Sequence, residues 1–160
     1  MTSKNKKYFL SGILIFSILS LSAAYFIQYV LGHKPCNLCL IERIPYLVSI
    51  IIISLTFAIN KFKKIIFLTV GLFFIFGAMI SFYHYGIEQG FFSESLICTL
   101  GNGTTATSTQ DLLKQLEKNT ISCKNVTFEV FGISLAGINF IISLTVAFLT
   151  LRIHRNYEKK

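Results

Sequence analysis

The chain has no tryptophan and little charge. Of its 160 residues, 14% are Asp, Glu, Lys or Arg, against about a quarter in ordinary soluble domains. The missing tryptophan removes a common anchor at a membrane–water boundary. The scarcity of charge leaves four runs with no Asp, Glu, Lys or Arg, at 8–31, 44–59, 65–87 and 130–151, of 24, 16, 23 and 22 residues. A soluble domain of this length does not need such runs. Three of them reach the roughly 20 residues that cross a ~30 Å hydrocarbon layer. Acids are the scarcer charge, seven against fifteen Lys and Arg.

What is present is a hydrophobic fraction of 53% with 16 Phe, and the pattern reads as one membrane domain of four helices. The expected spans are about 8–31, 38–59, 65–85 and 130–151, with one outer loop at 32–37 joining the first two and another at 86–129 joining the last two. The net charge of +8 could suggest nucleic acid, but its placement argues otherwise. Basic residues gather at Lys4, Lys6 and Lys7, at Lys61, Lys63 and Lys64, and at Arg152, Arg155, Lys159 and Lys160. With four crossings these three places share one side, while six of the seven acids fall on the other. Loops rich in Lys and Arg stay in the cytoplasm, so both termini and the 60–64 turn are expected there. The first run, with small residues Ser22, Ala23 and Ala24 near its end, could be a cleaved signal. Its apolar stretch continues through Leu31 and exceeds the 7–15 residues or so of a signal core, so an uncleaved helix is expected.

Small residues four apart (Ser20 and Ala24, Ser54 and Ala58, Gly132 and Ala136) would let helices approach in lipid. Asn139 inside the last span needs a partner, most simply on a neighbouring helix. The long loop is too short and polar to hold a core of its own and needs a staple or a surface. Within it, Ser108 three residues before Asp111 resembles a capping box, and Leu112, Leu113 and Leu116 would share a face. A short amphipathic helix over 108–118, lying on the outer surface, is expected. The triplets at 102–104 and 125–127 match a glycosylation pattern that arises often by chance.

No cysteine falls on the cytoplasmic side. All four, Cys36, Cys39, Cys98 and Cys123, lie in the two outer loops or in the helical turn beside them, on the side where disulfides persist. Three pairings are possible, and loop membership favours Cys36 with Cys39 and Cys98 with Cys123. Closing the 25-residue loop would stabilise the fold by about 3 kcal/mol, so Cys98–Cys123 could be an inert staple. A bond between Cys36 and Cys39 closes almost no loop and gains little that way. Structural zinc draws on two short-spaced pairs, and the second pair here is widely spaced. Exchangeable redox chemistry is the reading that remains for Cys36 and Cys39.

The 16-residue second run spans only ~24 Å at about 1.5 Å per residue. Starting the helix at Leu38 lengthens it to ~33 Å, enough to cross. That start places Cys39 in the first turn and Arg43 on the same face one turn on, with both the helix start and the guanidinium favouring a thiolate at Cys39. Pro45 would kink the helix. Arg43 is either a snorkelling residue paired with Glu42 or a donor fork for the oxygen of a small oxidant. His84, near the outer end of the third span, is either an interfacial histidine or a second contact and proton donor.

The segment Cys36-Asn-Leu-Cys39-Leu-Ile-Glu-Arg43 resembles the C-x-L-C-x-x-x-R signature of the DsbB family. His84, 14 residues before Cys98, and "FGISLAGIN" after Cys123 are similar to that family's pattern over nearly the whole chain. The resemblance implies a bacterial inner-membrane enzyme that re-oxidises a periplasmic DsbA-like thioredoxin-fold dithiol protein and passes the electrons to a membrane quinone, ubiquinone or menaquinone. It implies that Cys98 takes the partner's thiolate and that Cys123 exchanges with Cys36. Cys39 would then face the quinone, which Arg43 and His84 help to hold. The stretch before Cys98 could lie in a groove of the partner. Family members often carry a tryptophan near the long loop, and this chain does not. A different class of reading, a non-enzymatic scaffold with structural disulfides, predicts no reducible thiols. A reductase working in reverse would need a cytoplasmic electron source.

Overall fold

The computed structural model describes residues 3–59, 64–93, 98, 123–124, 129–130 and 132–158. Four helices long and apolar enough to cross a membrane form a four-helix bundle, as the uncharged runs predict. Helix α1 covers Ser3–Tyr29, α2 Asn37–Ile41, α3 Ile44–Ile59, α4 Lys64–Glu88 and α5 Leu135–Glu158. Helices suit these stretches because a chain surrounded by hydrocarbon must satisfy its own backbone polar groups. Large side chains such as Ile51 and Leu55 on α3, Leu72 and Met79 on α4, and Ile141 and Phe148 on α5 point outward. That pattern is inside-out for a soluble bundle and ordinary for one bathed in lipid.

The second crossing is built from two helices. Pro45 has no amide hydrogen, so the carbonyl of Ile41 cannot receive its helical bond. The chain turns at Glu42 and Arg43, where the Arg43 amide bonds back to the Leu40 carbonyl at 3.2 Å, before α3 resumes with Leu47 bonding to Arg43 at 3.1 Å. The expected kink is therefore a break, placed ahead of the proline. Helix α2 opens at Asn37, one residue before the expected start, and α3 alone has the 16 residues of the uncharged run.

The last crossing also begins differently. Residues 130–134 were expected within the helix, but Glu129–Val130 pairs antiparallel with Ile133–Ser134 as β1 and β2. Gly132 sits in their turn with φ of 76°, a conformation that side chains other than glycine's resist. Helix α5 then starts at Leu135. Helix α4 runs three residues beyond the expected end, which brings Glu88 into the span.

Helix α4 packs against α3 and α5, and α1 packs against α3. The main core joins Leu10, Ile13 and Leu21 of α1 to Tyr46 and Ile53 of α3 and Phe67, Val70 and Phe74 of α4. Close approach of α3 and α4 depends on Gly77, where an added Cβ would lie 2.9 Å from Pro45 Cγ. Of the small-residue pairs, Ser54 and Ala58 are exposed and form no seam, and Gly132 belongs to the turn; Ala136 is buried. The expected helix over 108–118, the stretch before Cys98 and both glycosylation triplets lie outside the described residues.

Candidate functional site

The break ahead of Pro45 sends two adjacent residues of opposite charge in different directions. Glu42 turns inward and is 8% exposed. Its Oε1 lies 2.8 Å from His84 Nδ1 and its Oε2 accepts from Asn139 Nδ2 at 2.9 Å. Arg43 turns toward α1, where Nη1 donates to Gln28 Oε1 at 2.8 Å and the guanidinium lies 5.0 Å from the Tyr25 ring centre. The pairing of Arg43 with Glu42 is thus not formed: His84 takes the carboxylate instead. The local turn also replaces the regular one-turn spacing expected between Cys39 and Arg43, although both line one cavity.

Asn139 finds the interhelical partners its burial requires. Its amide also donates to Ser81 Oγ at 2.7 Å and its oxygen accepts from the Tyr46 hydroxyl and, at 3.4 Å, from Ser143. One side chain on α5 therefore ties together Glu42 in the α2–α3 turn, Tyr46 on α3 and Ser81 on α4. On α4, Ser81, His84 and Glu88 recur at helical spacing, which puts them on one stripe. That stripe was readable in an otherwise apolar run, and Glu42, Asn139 and Glu88 are the residues that reasoning from the thiols alone missed.

His84 is 3% exposed. Opposite Glu42, its Nε2 is 3.5 Å from Cys36 Sγ and 3.7 Å from Glu88 Oε1. Cys36 caps α2, and its sulfur accepts the Cys39 backbone amide at 3.2 Å. These contacts hold the Cys36 thiol down at about 4, first through the hydrogen bond with the Cys39 side chain and then through His84, against the opposing effect of burial. The capping geometry therefore supports a thiolate at Cys36. The physical reason is the earlier helix start: with Asn37 opening α2, the capping position belongs to Cys36.

Cys98 and Cys123 are joined by a disulfide with a Cα–Cα distance of 5.9 Å, while Cys36 and Cys39 are free thiols. The outer pairing agrees with loop membership, and Cys36 and Cys39, which loop membership also pairs, are not joined. Cys36, Leu38, Ile87, Cys98 and Cys123 form one buried cluster, with Cys39 packed against it. All four sulfurs are thus gathered at one end of the bundle. Beside them lies a cavity of about 310 Å³ between α1 and α5. Cys39, Arg43 and His84 line it with Glu42, Tyr46, Glu88 and Asn139, and Ser20, Leu21, Ala24, Ile27, Ile138 and Ile142 supply apolar walls and small side chains. Cys36 is not among the lining residues.

This arrangement can store two electrons on a buried dithiol, exchange them with an adjacent disulfide, and present one sulfur to an apolar ligand. A sequence profile of the disulfide bond formation protein DsbB family matches residues 6–153. The chain belongs to the DsbB family. It is 35% identical over 106 residues to the SPbeta prophage-derived disulfide bond formation protein B of Bacillus subtilis (strain 168), a match covering 66% of this chain and 70% of that protein. It is also 28% identical over 130 residues to the uncharacterized protein RP370 of Rickettsia prowazekii (strain Madrid E), covering 80% of this chain and 76% of that one. No solved structure matches. Membership in the DsbB family makes the chain a membrane oxidoreductase of disulfide formation.

Proposed function

We propose that the protein re-oxidises a periplasmic DsbA-like thioredoxin-fold dithiol protein and passes the electrons to a membrane quinone, ubiquinone or menaquinone, in the bacterial inner membrane. The observation that carries this reading is the division of the inner pair: Cys36 packs with the Cys98–Cys123 disulfide, while Cys39 faces the apolar cavity. One sulfur meets the protein side of the chain of exchange and the other meets the lipid-soluble side.

The chemistry follows from thiolate attack. A partner thiolate attacks Cys98 Sγ, and Cys123 leaves as a thiolate. The partner's second sulfur then displaces Cys98, so the partner gains a disulfide and this chain gains a dithiol. Cys123 next attacks Cys36 in a Cys36–Cys39 disulfide and expels Cys39. Cys98 then attacks Cys123, restoring the outer disulfide and freeing Cys36. The end state is the outer pair oxidised and the inner pair reduced.

The cavity suits a quinone head. Its volume reaches the lower end of the ~300–1,000 Å³ common for small-molecule sites, its exposed surface is mostly apolar, and Cys39, Arg43 and His84 share its lining. A bound quinone would supply an acceptor of two electrons and two protons. Arg43, held by Gln28, would orient a carbonyl oxygen and favour charge developing on it. His84, held by Glu42 and 3.5 Å from Cys36 Sγ, would steady the Cys36 thiolate until Cys36 and Cys39 close their disulfide. The basic segments at the termini and at 60–64 support a cytoplasmic location for those ends, with the sulfurs opposite.

The test uses purified protein, a soluble quinone and a reduced thioredoxin-fold donor, followed by quinone absorbance. Quinone reduction should disappear in Cys36→Ala, Cys39→Ala, Cys98→Ala and Cys123→Ala, and Arg43→Ala should raise the KM for quinone. Undiminished turnover without Cys39 would refute the reading.

A further inference from the structure

The reduced pair has a second property that electron transfer does not require. One ligand atom each from Cys36, Cys39 and His84 lie within 4.8 Å of one another. A tetrahedral zinc ion with bonds of about 2.3 Å to sulfur and 2.0–2.1 Å to nitrogen sets its ligand atoms roughly 3.5–3.8 Å apart. Cys36 Sγ and His84 Nε2 already stand 3.5 Å apart. The far ring nitrogen of His84 meets Glu42 Oε1 at 2.8 Å, the carboxylate support that metal-binding histidines usually have. Glu42 is itself held by Asn139, so the support is fixed.

A carboxylate lies beside the third of these ligands. Glu88 Oε1 lies 3.7 Å from His84 Nε2, and the Glu88 side chain is 6% exposed. Its Oε2 is buried with no hydrogen-bond partner. A buried carboxylate oxygen left unpaired is costly; Glu88 stands outside the 4.8 Å trio of Cys36, Cys39 and His84, and a turn of its side chain toward a cation held by those three would satisfy it. Sequence spacing argued against zinc because Cys98 and Cys123 are far apart. The ligand set here does not use them.

We propose that the reduced chain binds one thiophilic divalent cation, of the zinc class, through Cys36, Cys39, His84 and Glu88. Thiolate, imidazole and carboxylate together suit Zn²⁺. Binding releases two protons, that of the Cys39 thiol and the one held between Cys36 and His84 Nε2, and leaves a dithiolate complex. Sulfur is neither oxidised nor reduced. Closing the Cys36–Cys39 disulfide removes two of the four ligands, so metal and disulfide exclude each other. An occupied site holds the inner pair reduced and unable to accept electrons from Cys123.

The experiment takes the full-length protein in detergent, quinone-free, reduced and freed of reductant under anaerobic conditions. Co²⁺ should bind one per chain, with a sulfur-to-cobalt charge-transfer band and the visible bands of a tetrahedral ion, and Zn²⁺ should displace it. Glu88→Gln and Glu42→Gln should weaken binding about 10- to 100-fold, and Cys39→Ser should abolish the charge-transfer spectrum of a two-thiolate site. In unsubstituted protein, Zn²⁺ should protect Cys36 and Cys39 from alkylation while Cys98 and Cys123 still react, a readout that needs no variant to fold. The proposal is overturned by equal uptake in the oxidised protein, by full uptake in Cys39→Ser, or by neither uptake nor protection in the unsubstituted chain. None of these readouts uses quinone or a partner protein, so failure here leaves the electron-transfer reading standing.

Discussion

At the scale of single residues, the site is a contest between burial and hydrogen bonding at Cys36. Burial opposes a thiolate, and the Cys39 and His84 contacts outweigh it. The sign follows directly. A thiol held near 4 sheds its proton far below the ordinary thiol range around 8.5, so the thiolate persists through neutral pH and is lost as pH falls through about 4. Alkylation of Cys36 in the reduced protein, read by mass spectrometry, should therefore stay level from pH 8 down to about pH 5. In His84→Ala the fall-off should move to higher pH, because a supporting contact is gone. A profile centred near 8.5 in the intact protein would contradict this account.

At the scale of elements, helix α4 is the board on which the site is mounted. Gly77, Ser81, His84 and Glu88 share its inner face, and the first of these admits Pro45. Gly77→Leu should push α3 away and cost about 1–3 kcal/mol by overpacking, measured by unfolding in detergent, with the Cys36–His84 contact loosened as well. The four spans were legible because hydrocarbon demands long uncharged runs, and 65–87 could hardly be anything else. The break at Glu42 and Arg43 was less so: Pro45 announces a disturbance, but only packing decides which way each charge turns. The β1–β2 turn was hidden because its residues are apolar enough to continue the span. Glu42, His84 and Asn139 come from distant parts of the chain, and spacing along one helix carries no information about such a meeting.

At the scale of the whole molecule, the four sulfurs sit at one end of the bundle, and the proposed orientation makes that end the outer one. Labelling of intact cells or spheroplasts with a membrane-impermeant thiol reagent, after reduction, should modify Cys98 and Cys123. A cysteine introduced at Lys61 should react only after the membrane is opened. Accessibility of position 61 from outside would reverse the topology. The expectation at this level comes from the distribution of Lys and Arg, which is a property of the whole chain and needs no contact to be known. The cavity between α1 and α5 was not legible: Ser20 and Ala24 looked like a helix seam, and they line the cavity instead.

Asn139 carries a vulnerability of its own. Its side chain gives with one end, to Glu42 and Ser81, and takes with the other, from Tyr46 and Ser143. Exchanging the amide nitrogen for oxygen, as in Asn139→Asp, changes the side-chain volume very little, yet sets two acids face to face where a donor stood. Shape would survive and polarity would not. The variant should insert into the membrane normally but unfold at a lower temperature than Asn139→Ser, which removes the donor without adding an opposing charge; the reverse order in a thermal melt would contradict this. A single atom would thus separate a bundle that is merely assembled from one whose helices agree on where their hydrogens belong.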